Sequence, residues 1–187
     1  MRSVLPFDEI NNAKEAIRKK HFDERGHIKS RKDCEDIIDE MLDLYLLTYA
    51  YAAETVNEEF GGDYKADIDE VMSVIDRPIA DKTWRERVWE HFDNGGTVED
   101  IDRIIDTETH RDGNDAALGT AMKNGATFKT WVTMLDDRVR DSHTYLEGVT
   151  IPIDAEFYTF GGAKALYPGA FGIAEEDCNC RCELIFK

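Results

Sequence analysis

The chain has 187 residues, and 42% of them are hydrophobic, which is enough to bury a real core in one or two domains. Its 40 acidic residues outnumber the 23 basic ones and give a formal net charge of −17. A charge of this sign and size repels nucleic acid and leaves no basic stripe for phosphate contacts. Direct nucleic-acid binding is therefore disfavoured.

Apolar stretches in the sequence are only a few residues long, and no apolar block with a small-residue cleavage site follows the N-terminus. The sequence therefore predicts neither a membrane span nor a signal peptide. Synthesis in the cytoplasm is the expectation that follows.

Helical periodicity dominates the first part of the chain. Residues 7–23 predict a short helix whose apolar face is thin, so it needs a partner surface. Apolar residues recur at three- and four-residue steps through 31–60 and predict a long amphipathic helix, which the glycine pair 61–62 ends. Its stripe is too wide for one neighbour, so we expect two. We predict that residues 1–66 form an N-terminal helical docking region.

The remainder, residues 67–187, is predicted to begin with helices and to end in a small sheet, so the fold class is α+β. Thr97 and Asp100 form a predicted capping box at the start of one of these helices. A later short helix is predicted to be capped by Asp137. The predicted helices are 67–76, 81–93, 97–108 and 115–123, and the predicted strands are 128–134, 149–153, 156–160 and 178–186.

Glu108 stands out because the apolar stripe of its helix, continued in helical steps, reaches this carboxylate. Burying a charge is costly unless partners satisfy it. The sequence offers His110, Arg111 and Asn114 nearby, or an arginine from elsewhere. A buried polar network around Glu108 is the prediction.

Cysteines cluster near the C-terminus, where Cys178, Cys180 and Cys182 occur within five residues. This spacing fits neither a disulfide framework nor the usual zinc-ribbon pairs. One interpretation is a zinc site formed with His143, since thiolates and imidazole are the usual ligands. The other is a buried strand face, because the alternation continues into apolar residues and free cysteine is often buried.

Three separated segments carry a resemblance to a known family. Arg103–Asn114, Lys129–His143 and Asn179–Cys182 resemble, in that order, motifs of the Mu F-like head morphogenesis family, the minor head proteins of tailed bacteriophages. The matching positions are Thr107, Glu108, Arg111, Asn114, Arg140, His143, Asn179, Cys180, Arg181 and Cys182.

That resemblance implies a virion protein made in the cytoplasm of a bacterial host, a minor capsid component that acts in head morphogenesis at the portal vertex and assists DNA packaging or delivery. The implied partners are the portal protein and other head proteins. Cys178 stands where the family more often has an apolar residue. The chain is also short and has no extra C-terminal domain, which argues against a fused toxin or enzyme.

Two other functions compete with this one. Glu108, Arg140 and His143 could be the acid and base of a nuclease, but no carboxylate cluster, phosphate loop or nucleophile motif accompanies them. A small zinc-stabilised binding module is the third hypothesis. We predict no catalytic residues and no cofactor other than this zinc ion. The predicted structural polar network comprises Glu108, Arg111, Asn114, Arg140, His143 and Arg181.

Overall fold

Helices fill the first two thirds of the chain and strands the last third in the computed structural model, which describes residues 3–187. The first two residues of the predicted docking region 1–66 lie outside the described residues. Within residues 3–187, no helix combines the length and apolar character of a bilayer span. The helices are α1 (Phe7–His21), α2 (Arg31–Phe60), α3 (Ile68–Ile75), α4 (Trp84–Asp93), α5 (Val98–Lys123), α6 (Asp141–Thr144) and α7 (Ala174–Asp177).

Strand β1 (Phe128–Val132) is the centre of a three-stranded antiparallel sheet. It lies between β2 (Thr150–Pro152) and β5 (Glu183–Phe186) in the order β2-β1-β5. Strands β3 (Phe157–Tyr158) and β4 (Lys164–Ala165) form a separate antiparallel pair. The predicted α+β fold, with a helical N-terminal part and a small C-terminal sheet, is confirmed.

The long helix α2 is the main partner of α5. It begins after Ser30, whose hydroxyl accepts a hydrogen bond from the Asp33 N–H, and it ends at Gly61 with φ 67°. Both are the usual ways of satisfying helix ends. Besides α5, α2 contacts α1, α3 and α4, so its wide apolar stripe faces several neighbours.

Helix α1 is docked by two kinds of contact. Ile10 and Ile17 are buried in the common core, with 3% and 2% of their surface exposed. Lys14 and Arg18 form ion pairs with acidic residues of α5 at 2.8 Å. The thin apolar face is therefore supplemented by charge pairing.

One hydrophobic core runs from the N-terminal helices into the sheet. The Ser3 hydroxyl also donates a hydrogen bond of 2.7 Å to Glu183 of β5. The division between 1–66 and 67–187 stays a prediction. Residues 67–187 are not expected to be stable alone, because removing α2 would expose the buried face of α5.

The prediction of two helices at 97–108 and 115–123 is wrong, because α5 runs unbroken from Val98 to Lys123. The glycine in its middle is Gly113, which weakens a helix by about 1 kcal/mol relative to alanine. A Cβ atom there would collide with the side chain of Leu5. Gly113 thus makes room for the N-terminal segment and does not break the helix.

The predicted strand 178–186 is also wrong in its first half. Cys178 ends α7, and Asn179 has φ 56°, a left-handed conformation that no strand contains. The strand begins only at Glu183. The cysteines therefore do not alternate along a strand face.

Other boundaries differ by a few residues. Asp137 does not cap a helix, since α6 begins at Asp141 after Arg140. The predicted strands 128–134, 149–153 and 156–160 are all shorter in the structure, at Phe128–Val132, Thr150–Pro152 and Phe157–Tyr158.

Candidate functional site

Helix α5 connects two buried polar clusters. The first, here the Glu108 cluster, comprises Glu108, Arg111 and Asp112 of α5 with Arg87 of α4. The second, here the His143 cluster, comprises His143 of α6 with Glu176, Cys180 and Cys182; residues 178–182 are called the cysteine segment.

Glu108 is fully buried, with 0% of its side chain exposed, and it lies between two guanidinium groups. Arg87 Nη2 contacts its Oε1. Arg111 Nη2 lies 2.6 Å from its Oε2. The two arginines supply the counter-charge that a buried carboxylate requires.

Arg111 also binds the C-terminal end of α3. Its Nη2 donates to the carbonyls of Val74 and Ile75 at 3.1 and 2.8 Å, and its Nη1 donates to the carbonyl of Arg77 at 2.6 Å. These carbonyls belong to the last turn of α3 and the residues just after it, where helical partners run out, and a buried guanidinium supplies donors to them. Arg111 therefore neutralises Glu108 and fastens α3 to α5.

Asp112 is the second carboxylate of the cluster. Its Oδ1 accepts a hydrogen bond of 3.2 Å from Arg111 Nε, whereas no described group donates to its Oδ2. Burial raises the pKa of Asp112 from 3.8 to about 7, although Arg111 acts to lower it. Near neutral pH this carboxyl group is therefore close to its titration point.

The cysteine segment is fastened to α5 through two side chains spaced two helical turns apart. The Thr107 hydroxyl accepts a hydrogen bond of 3.3 Å from the Asn179 N–H. Asn114 Nδ2 donates to the carbonyl of Cys182 at 3.0 Å and to that of His110 at 2.8 Å. Two of the motif segments singled out in the sequence are thus in direct contact.

In the His143 cluster, two thiols face one ring nitrogen. His143 Nδ1 lies 3.6 Å from Cys180 Sγ and 3.5 Å from Cys182 Sγ. The three side chains are buried, and their ligand atoms all lie within 4.8 Å of one another. Cys178, the fourth residue of the predicted metal set, is half-buried and lies outside this group of three.

The opposite side of the imidazole faces a carboxylate. His143 Nε2 lies 3.1 Å from Glu176 Oε2, and the Ser142 hydroxyl donates to the same oxygen at 2.8 Å. Arg140 holds the backbone here, because its guanidinium donates to the carbonyls of Glu176 and Cys178. Glu176 is therefore positioned against His143 by its neighbours.

Aromatic rings enclose the imidazole of His143. The ring of Phe171 stacks on it at 5.5 Å, and the ring of Trp131 meets it edge-on at 5.3 Å. Trp131 is itself fully buried at the centre of the sheet. The cluster thus has an apolar surround that fixes the ring plane.

The six residues of the predicted polar network occupy several sites. Glu108 and Arg111 are in contact, whereas His143 belongs to the other cluster and Arg140 donates to backbone carbonyls beside it. Arg181 points to the surface and pairs with Asp136 at 2.6 and 2.8 Å.

Sequence reasoning missed three partners in these clusters. Arg87 and Glu176 lie on amphipathic or irregular segments, where one more charged residue gives no signal. The third, Asp112, stands next to Arg111 but was not singled out.

A groove lies away from both clusters, between the C-terminal half of α2, the loop after it and the start of α3. It encloses about 860 Å³. Ile68, at its edge, is 59% exposed. Apolar lining residues include Leu46, Tyr49, Ala53 and Val71, and acidic ones include Glu54 and Asp63.

Comparison with known proteins identifies relatives over parts of the chain. The protein is 39% identical over 83 residues to Minor head protein GP7 of Bacillus phage SPP1, a match that covers 43% of this chain and 27% of GP7. It is 26% identical over 151 residues to NAD(+)--arginine ADP-ribosyltransferase EFV of Enterococcus faecalis, covering 63% of this chain and 31% of that enzyme. The chain thus spans less than a third of each relative. No solved structure matches it significantly.

The family described as Phage Mu protein F like protein matches residues 68–185. This stretch holds α3 to α7, the sheet apart from the last residue of β5, and both polar clusters, and it makes up more than half of the chain. The resemblance inferred from three short motifs is confirmed. The chain belongs to the Phage Mu protein F like family.

Proposed function

We propose that the protein is a minor head protein of a bacteriophage that acts in head morphogenesis, where it binds the portal vertex and assists DNA packaging or delivery. The observation that carries this proposal is the family match, together with the likeness to Minor head protein GP7 over 83 residues. The net charge of −17 favours protein partners over DNA. The relevant partners are the portal protein and other head proteins.

The groove beside α2 and α3 is the surface we assign to that docking. Its apolar floor suits the apolar face of an amphipathic helix, a common way for proteins to recognise helical segments. Acidic residues at its rim, including Glu54 and Asp63, favour a partner helix with basic flanks. The exposed Ile68 would be covered by such a helix.

We propose further that the chain is not itself an enzyme. Glu108 is inaccessible to a substrate and paired with two arginines, so it is not available as a general acid or base. The match to the ADP-ribosyltransferase covers 31% of that enzyme and does not carry its activity over to this chain.

A direct test is to incubate the purified protein with labelled NAD⁺ and an arginine-containing acceptor. No transfer of label is expected, and transfer that depends on Glu108 would contradict the proposal.

Head incorporation tests the structural role. Heads are purified from the phage that encodes the protein, and the protein is quantified in them by mass spectrometry. The wild-type protein is expected in heads at low copy number. Its absence from heads would refute the minor head role itself.

Ile68→Asp tests the groove. This change introduces a charge at an exposed apolar position and is expected to leave the fold intact. Incorporation should fall at least about tenfold, which corresponds to about 1.4 kcal/mol of lost affinity. The matched control is Phe160→Asp, at a position that is 68% exposed and does not line the groove.

The two outcomes separate the parts of the proposal. Normal incorporation of Ile68→Asp would place docking on another surface while leaving the head role intact. Equal loss with Phe160→Asp would show that any added surface charge interferes. Binding of purified portal protein to the wild type, and reduced binding to Ile68→Asp, would identify the portal as the partner.

A further inference from the structure

Distances in the His143 cluster fit a tetrahedral metal ion. Zinc binds cysteine sulfur at about 2.3 Å and histidine nitrogen at about 2.0–2.1 Å, so a tetrahedral angle places these two ligand atoms about 3.6 Å apart. The observed separations of Nδ1 from the two sulfurs are 3.6 and 3.5 Å. Both sulfur–nitrogen pairs therefore have the spacing that one shared ion would impose.

Hydrogen bonding alone explains this arrangement poorly. A ring nitrogen of histidine has either one N–H or one lone pair, so Nδ1 makes one good hydrogen bond. Two thiols nevertheless converge on it, all three side chains are buried, and the thiols of Cys180 and Cys182 also contact each other. Thiols are weak donors and acceptors, whereas an ion would satisfy all three groups.

A histidine that binds a metal through one ring nitrogen usually has a carboxylate or carbonyl facing the other nitrogen, and Glu176 lies in that position here. An ion on Nδ1 requires the proton to be on Nε2, and this nitrogen lies 3.1 Å from the Glu176 carboxylate. Carboxylates in this position fix the tautomer and the orientation of the ring. The contact is not aligned as a hydrogen bond in this structure.

Charge balance also favours an ion of this kind. Two thiolates would neutralise a divalent cation, so the site would add no net positive charge beside Arg140 and Arg181. Arg140 is directed at backbone carbonyls, and Arg181 at Asp136. A hollow of about 10 Å³ borders the three side chains and leaves room for a water molecule as the fourth ligand.

We propose that His143, Cys180 and Cys182 bind one zinc ion, with Glu176 as a positioning residue. The soft thiolates and the imidazole select zinc over magnesium or calcium. The ion would tie the cysteine segment, and with it the approach to β5, to helix α6. It is a structural device and goes beyond the proposed role in the phage head.

The test is the metal content of the full-length protein, produced in zinc-supplemented medium and purified without chelator. Inductively coupled plasma mass spectrometry should find close to one zinc ion per chain. Cys180→Ser and Cys182→Ser should each lose most of it. Cys34→Ser and Cys178→Ser are the matched controls, because both remove a cysteine outside the cluster, and both should retain the ion.

A second measurement keeps the test decisive if a variant fails to fold. Wild-type protein is stripped of metal and titrated with Co²⁺, whose thiolate-to-metal absorption reports cysteine ligands directly. Saturation at one equivalent is expected. The proposal is overturned if neither zinc nor Co²⁺ binds, or if Cys34→Ser loses the ion as fully as Cys182→Ser.

Thiol counting excludes a disulfide as the explanation. The denatured wild-type protein should show four free thiols, since all four cysteines are unpaired in the structure. Two free thiols would reveal a disulfide, and a peptide map that assigned it to Cys180 or Cys182 would overturn the proposal.

Discussion

The two buried polar clusters differ in how their buried polar and charged groups are compensated. In the Glu108 cluster, opposite charges meet, and Arg111 directs its donors at carboxylates and at the carbonyls that end α3. In the His143 cluster, three side chains that can bind a metal face one another, and the Glu176 carboxylate lies on the other side of the imidazole. The first cluster supplies its own counter-charges, whereas we propose that a bound zinc ion completes the second.

This difference separates structural polar groups from ligand-binding ones more reliably than burial does. Glu108 and His143 are both almost wholly inaccessible, with 0% and 2% exposed, and both match motifs of the family. They differ in their partners. Glu108 contacts guanidinium groups of opposite charge, whereas Nδ1 of His143 faces two thiols that are metal ligands like itself. The predictions below test this distinction, beginning with the largest expected effect.

Arg111→Met should destabilise the protein by about 3–5 kcal/mol, the usual result of removing one partner of a buried ion pair. The substitution leaves Glu108 with Arg87 alone and removes the guanidinium donors to the carbonyls of Val74, Ile75 and Arg77. Urea denaturation measures the loss. Arg103→Met is the control, because this arginine is on the same helix and forms an exposed pair with Asp100. A loss below about 1 kcal/mol for Arg111→Met would show that the cluster is not a structural one.

Glu176→Gln should weaken zinc binding about 10–100-fold, as expected for the partner of a metal-binding histidine. The affinity is measured by competition with a zinc-binding dye. Glu175→Gln, at the exposed neighbouring position, should leave the affinity unchanged. Because the thiols remain, stoichiometry should stay at one ion. If Glu176→Gln bound zinc as tightly as wild type, Glu176 would have no positioning role.

The Glu108 cluster should show its own pH dependence through Asp112. The folded-state pKa of this carboxyl is raised from 3.8 to about 7. The folded state therefore holds a proton that the unfolded state has released, and stability is lost as pH rises from about 4 through 7. Asp112→Asn removes this titration.

Denaturation curves at pH 5 and pH 8 measure the effect. The stability difference between these pH values should be smaller in Asp112→Asn than in the wild type by at least about 1.4 kcal/mol, which corresponds to one pKa unit. Asp136→Asn is the control, because hydrogen bonds from Arg181 lower the pKa of Asp136 to about 2, below this range. An unchanged slope in Asp112→Asn would mean that Asp112 stays ionised in the folded state.

Arg181→Met should have the smallest effect, below about 1 kcal/mol, because its pair with Asp136 is partly exposed to solvent. Arg181 and Arg111 were both matched to family motifs, but only Arg111 is buried. Comparing the stability losses of the two variants therefore shows whether burial or motif position determines the effect. Urea denaturation is again the measurement. A large loss for Arg181→Met would indicate a buried role that the structure does not show.

Sequence periodicity predicted the helical half of the fold well, because each long helix has an apolar stripe and a definite end. The bounds of α2 follow from its stripe and from Gly61, which takes the left-handed conformation at the helix end. The break predicted in α5 was wrong because the reason for Gly113 is tertiary. Only the folded structure shows that Leu5 packs against it.

The candidate site was harder to predict, since its residues are brought together from distant parts of the chain. Alternation in the cysteine segment indicated a strand. Asn179 could have argued against it, because asparagine tolerates the left-handed conformation that this residue adopts. Glu108 was recognised as a buried charge in need of an arginine. Arg87 and Glu176 could not be found, because a charged residue on an exposed-looking segment has no pattern that assigns its partner.

The hydrogen bonds between α5 and the cysteine segment also have a consequence for the order of synthesis. Thr107 and Asn114 reach partners 72 and 68 residues further along the chain, and His143 reaches Cys182 after 39 residues. At about 5–20 residues per second, translating those 39 residues takes roughly 2–8 s. The Glu108 cluster can close early, because its members and the carbonyls it binds lie within residues 74–112. The nascent chain therefore carries Asn114 and His143 without their contacts to Cys182 until the ribosome has passed that residue, and zinc would bind only at that late stage.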